Sequence, residues 1–168
     1  ADYTDNLFTG HRAPEGQWQG IGTLEIRPTD SLTITLRADL ANDTGRVGSN
    51  YHVVRLGTYN AAADVPASPY QYRSDYPGTG NYLHNRGFSA NVQWDIAGGY
   101  PLQKLPSGRP IVINTQYDSD GTELPIYTAV RNDQSRSLSQ EVQIISPADR
   151  RLDWIGGLYF YRESAHDL

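Results

Sequence analysis

The chain has 168 residues, of which 38% are hydrophobic and 20% charged, and its net charge is −5. That length suits one domain, and the acidic balance argues against a nucleic-acid partner. Cysteine is absent, which excludes a disulfide framework, a thiolate metal site and a cysteine nucleophile.

No run approaches the roughly 18 apolar residues of a membrane helix. The pattern has period two instead. Over 18–27, Gly20, Gly22, Leu24 and Ile26 alternate with Thr23, Glu25 and Arg27, and Pro28-Thr29-Asp30-Ser31 has turn chemistry. Over 32–41, Leu32, Ile34, Leu36, Ala38 and Leu40 share one parity, and Thr33, Thr35, Arg37 and Asp39 share the other. Both stretches predict strands with one apolar face. A long loop follows over 42–87. The next strand is predicted at 88–96, closed by Ala97-Gly98-Gly99-Tyr100. Its return strand is not legible. Pro101, Pro106 and Pro110 each lack a backbone donor, which a central strand does not tolerate, so only 111–116 reads as extended. A second long loop is expected over 114–136. Strands at 137–146 and 152–162 close the chain, joined by a polar turn at 147–151.

Short connections thus alternate with long ones. Bacterial outer-membrane barrels have this asymmetry, with short periplasmic turns and long extracellular loops. Trp18, Trp94 and Trp154 all carry the apolar parity, as interfacial girdle residues would. The expected fold is all-β: antiparallel hairpins forming part of a transmembrane β-barrel. Two alternatives stay open, a complete small outer-membrane barrel and a soluble carbohydrate-binding β-sandwich.

The 42–87 loop holds half of the 12 tyrosines and is stiffened by Pro66, Pro69 and Pro77. A tyrosine ring offers a stacking face and a hydroxyl at low entropic cost. Tyr59, Tyr70, Tyr72 and Tyr76 are therefore the candidate ligand contacts; packing on the rim is the competing use of these rings. Asp118 and Asp120 lie in an Asp/Gly-rich stretch that suggests surface calcium, but the spacing fails the EF-hand pattern and a turn suffices. His11, His52, His84 and His166 lack metal-ligand spacing, though His52 and His84 flank one loop. No Gly-x-Ser-x-Gly or phosphate-cradling loop occurs. The chain reads as neither an enzyme nor a cofactor protein.

Four blocks carry a family likeness: IRPTDSLTITLRADLAND at 26–43, GFSANVQWDIAGGY at 87–100, YDSDGTELPIYTAVRNDQSRSLSQEVQIISP at 117–147 and RRLDWIGGLYFYRE at 150–163. Together they resemble the barrel of TonB-dependent outer-membrane receptors. The resemblance implies a bacterial outer-membrane location and active import of a ferric siderophore, haem, vitamin or oligosaccharide. It implies a lipid bilayer around the wall, and a TonB complex that acts through a plug domain not recognisable here. The chain begins at Ala1 with no signal peptide and stops at Leu168 just past a strand. The expectation is a fragment of such a receptor.

Overall fold

The computed structural model describes residues 5–10, 16–44, 66–76, 80–96, 99–118, 120–147 and 151–167. The described residues contain eight strands and no helix: β1 Asp5–Asn6, β2 Gln17–Thr29, β3 Leu32–Asp43, β4 Gln71–Tyr72, β5 Tyr82–Ile96, β6 Tyr100–Asp118, β7 Thr128–Ile145 and β8 Ile155–Asp167. Six form one antiparallel sheet in the order β2-β3-β5-β6-β7-β8; β1 and β4 pair in parallel as a two-stranded sheet. The six-stranded sheet is open, and β2 and β8 are each paired on one side only.

Apart from Thr29↔Leu32 at the β2–β3 turn, paired residues share parity in all five ladders, as in Leu24↔Leu36, Leu36↔Ala90, Phe88↔Gly108, Gly108↔Leu138 and Leu138↔Arg162. Side chains alternate along each strand, so the even-numbered residues of the whole sheet project to one side. One register shift lies between Ile26 and Thr29. It contains Pro28 on edge strand β2, where a missing donor costs no interior hydrogen bond.

The even face is apolar over most of its extent, and it is uncovered. Leu24, Phe88, Leu158 and Phe160 are 57%, 58%, 81% and 54% exposed. Lys104 and Gln140 interrupt the apolar band. The odd face takes Glu25, Asp39, Asp43, Asp95, Asp133, Glu141, Glu163 and Asp167. The even face carries Arg86, Lys104, Arg136 and Arg162, and its single carboxylate is Asp118 at the last position of β6. The odd face also carries Arg27, Arg37, Arg109 and Arg131, so the carboxylates segregate by face while the cations are shared between the two.

The β2–β3, β5–β6 and β7–β8 connections lie at one end of the sheet. Leu32 pairs with Trp94, Trp94 with Leu102, and Leu102 with Ile144, next to the Ile145↔Ile155 pair. The β5–β6 turn uses Gly99 at φ 77°, a conformation open to glycine at little cost. At the β7–β8 connection, Ser146 N donates to Trp154 O at 2.9 Å and Trp154 N donates to Ser146 Oγ at 3.0 Å.

The stretch over 101–113 corrects the sequence expectation. It is not irregular: β6 runs unbroken through Pro101, Pro106 and Pro110 as the longest strand. The reason lies in which neighbour each residue faces. Along an antiparallel strand, backbone groups bond alternately to the left and right neighbours. Pro106 and Pro110 have the same parity. The β5–β6 ladder skips the positions opposite and beside them, Ala90 to Asn91 and Arg86 to Gly87, whereas the β6–β7 ladder is continuous from Leu102 to Asp118. Both missing donors thus fall on the β5 side, and β7 holds β6 throughout. The two long loops also shrink. The loop expected over 114–136 contracts because β6 and β7 extend to Asp118 and Thr128, and the loop expected over 42–87 loses its last residues to β5, which begins at Tyr82.

Candidate functional site

Almost all of the deeply buried side chains sit at the long-connection end, in a small polar cap. Asn6, Tyr72, Ser74, Tyr76, Asn81, Asp118, Asp120 and Thr122 are all below one-tenth exposed. Asn6 is the hub. Its Nδ2 donates to Ser74 O at 2.9 Å and Tyr76 O at 3.0 Å, and its Oδ1 accepts from Phe8 N at 3.0 Å and Ser74 N at 3.2 Å. A buried amide is tolerated because donors and acceptor are all used.

Asp118 and Asp120 serve the same cap. Asp118 Oδ1 accepts from the backbone N–H of Asp120 at 3.0 Å and of Gly121 at 3.1 Å, and its Oδ2 accepts from Ser74 Oγ at 2.7 Å. Asp120 Oδ1 accepts from Thr122 N at 3.1 Å and its Oδ2 from Tyr127 N at 3.1 Å. Gly121, at φ 65°, lets the chain reverse just after them. These oxygens are occupied by backbone donors of the turn and by the Ser74 hydroxyl. No group of three or more His, Cys, Asp or Glu side chains that could hold a metal ion occurs among the described residues.

The tyrosines divide. Tyr72 and Tyr76 are 2% and 5% exposed, the only large hydrophobics buried among the described residues, whereas Tyr70 is 67% exposed. Burial pushes the Tyr72 phenol up to about 12, with Tyr76 beside it adding to the shift, and burial raises the Tyr76 phenol as well. Two of the candidate ligand rings therefore pack in the cap, and Tyr70 alone of the described three presents a free face. Tyr59 lies outside the described residues. So do His11 and His52, which leaves the pairing of His52 with His84 outside them too. His84 and His166 share one cross-strand row, separated by Val112 and Gln134. At about 4.8 Å per strand they stand some 14 Å apart, too far to share an ion.

The odd face is knit by polar side chains across the strands. Arg109 Nη1 donates to Asp39 Oδ2 and to Asn85 Oδ1, both at 2.8 Å, and Nη2 donates to Asp39 Oδ1 at 2.9 Å. This forked pairing links β6 to β3 across β5. Gln103 Nε2 donates to Asn91 Oδ1 at 3.0 Å, Ser107 and Ser139 share a 2.7 Å hydrogen bond, and Ser135 Oγ donates to Glu163 Oε1 at 2.9 Å. Sequence reading found none of these pairs, because each depends on register between strands far apart in the chain.

On the even face, an open groove of about 670 Å³ runs over β5, β6 and β7 towards the long-connection end. Gly108 and Pro110 form its low floor; Arg86 and Arg136 stand on its two sides. The sequence held one signal for it, the shared parity of Arg86, Arg136 and Arg162.

The fold and these surfaces define a two-faced, open antiparallel sheet capped at one end. No protein family, curated protein or solved structure matches the chain.

Proposed function

We propose that this sheet is a wall segment of a TonB-dependent outer-membrane receptor, a bacterial transporter importing a siderophore, haem, vitamin or oligosaccharide. The observation that carries the reading is the uncovered apolar face, uniform in parity across all six strands and opposed to a hydrogen-bonded polar face. A bilayer solvates such a face, and a wet lumen suits the other. Two further features support it. The two tightest connections, β2–β3 and β5–β6, lie at one end, and the longest, β3–β5, lies at the other. Among the described residues the outer edges of β2 and β8 are unpaired, and in lipid they require further strands. A soluble carbohydrate-binding sandwich would cover its apolar face with a second sheet; the other sheet among the described residues has strands of two residues each.

In this reading the even face meets lipid, and the long-connection end carries substrate contact, with Tyr70 as its exposed aromatic. The TonB complex acts through a plug supplied by the rest of the receptor. The test is the state of the purified 168-residue chain. Dependence on detergent or lipid is the expected result. A detergent-free monomer with a cooperative melt would overturn the reading in favour of a soluble fold.

A further inference from the structure

The apolar band of the even face ends in a cationic one. In the row Leu40–Arg86–Pro110–Arg136–Ser164, two arginines flank a proline; in the next row towards the short turns, Leu138 pairs with Arg162. All three arginines are exposed. Among the described residues none of them makes an ion pair. No even-face carboxylate lies nearer along β6 than Asp118, whose oxygens are taken by Ser74, Asp120 and Gly121. Arg86 and Arg136 stand two strands apart, about 10 Å between backbones, close enough for their guanidiniums to converge over the low floor of Gly108 and Pro110. Phe88 lies across that floor: a Cβ on Gly108 would fall 2.5 Å from its ring atoms.

We propose that Arg86 and Arg136, with Arg162 beside them, bind the phosphate of a phosphorylated bilayer lipid in the leaflet at the long-connection end. The acyl chains lie along Phe88, Leu138 and the band below. The proposal rests on the reading of the even face as lipid-facing. Charge complementarity selects the ligand: three unpaired guanidiniums bordering an apolar surface match an anionic head on an apolar tail, and guanidinium binds phosphate with two parallel hydrogen bonds. A free phosphate would leave the adjoining apolar groove unfilled.

The test uses the full receptor refolded into phosphatidylcholine vesicles containing a minority of phosphatidic acid. A fluorophore is attached through Leu40→Cys, in the row of Arg86, and either lipid carries brominated chains that quench it. The expected result is quenching by both lipids, with phosphatidic acid effective at a several-fold lower fraction. The preference collapses in the R86Q/R136Q double variant, which removes both guanidiniums that flank the floor. It also weakens as salt is raised in the unmodified protein, a readout that does not depend on a variant folding. Arg131→Gln on the odd face leaves it unchanged. Equal quenching by the two lipids in the unmodified protein overturns the site and leaves the bilayer reading standing; quenching by neither overturns both. Loss of the preference when inorganic phosphate replaces chloride at constant ionic strength overturns the lipid as ligand.

Discussion

Arg109 on β6 reaches Asp39 on β3 by passing over Gly87 of the strand between them. A Cβ at Gly87 would overlap both Asp39 Oδ1 and Arg109 Nη2. The glycine is thus the gap through which the ion pair forms. Gly87→Ala should displace the pair without moving the backbone, since the overlapping atoms are side-chain ends. A double-mutant cycle on Arg109→Gln and Asp39→Asn checks it by denaturant titration. The coupling should be clear in the native background and mostly lost in Gly87→Ala; equal coupling in both backgrounds would refute the arrangement.

Leu36→Arg places a charge in the middle of the apolar band. In the receptor it should cost about 2–4 kcal/mol, the range for a lipid-facing arginine at the midplane. Thr35→Arg, one residue away on the polar face, should cost far less. Folding titrations of both variants in lipid vesicles decide the matter, and equal losses count against the assigned faces.

Pro110 leaves a gap in the β5–β6 ladder. Pro110→Val restores a donor aimed at β5 and should add a net hydrogen bond, about 0.5–1.5 kcal/mol. Hydrogen exchange supplies the direct check: the new amide at position 110 should be protected. A rapidly exchanging amide there would mean that the β5 side of the gap does not close.

Asn6→Ala removes the hub of the cap. It strands the Ser74 and Tyr76 carbonyls and should cost about 1–3 kcal/mol of local stability, read as loss of exchange protection over residues 71–76 with the six-stranded sheet unaffected. Tyr72→Ala should loosen the same segment. Tyr70→Ala should leave the cap intact and weaken substrate binding. If Tyr70→Ala binds substrate as tightly as the unmodified receptor, this ring carries no contact.

The cap should also respond to alkali. The Tyr72 phenol rises from 10.0 to about 12, so the native state holds its proton more tightly than the unfolded state does. Its contribution is therefore fully present below pH 10 and is lost as the pH rises towards 12. Tyrosinate absorbance should show a latest-titrating group, at about 12, that disappears in Tyr72→Phe. Titration of all tyrosines near pH 10 would contradict its burial.

Sequence alone determined the two faces and most of the strands. Leu32, Ile34, Leu36, Ala38 and Leu40 alternate with polar neighbours, and side-chain direction along a strand depends only on position in the chain. The β2–β3 and β5–β6 turns were legible to within two residues, although Pro28 and Thr29 belong to β2 and Tyr100 to β6, because proline, glycine and short polar residues act locally. What the tertiary structure decided was everything set by register. Pro106 and Pro110 forbid a central strand until it is known that both face β5 and that β7 supplies an unbroken ladder. Asp118 and Asp120 look like ion ligands until the donors around them are placed, Ser74 among them. Tyr70, Tyr72 and Tyr76 are alike in sequence, and only packing around Asn6 separates two buried rings from an exposed one. Arg86, Arg136 and Arg162 come together for the same reason: three ladders of matching parity bring residues far apart in the chain onto one side of one sheet.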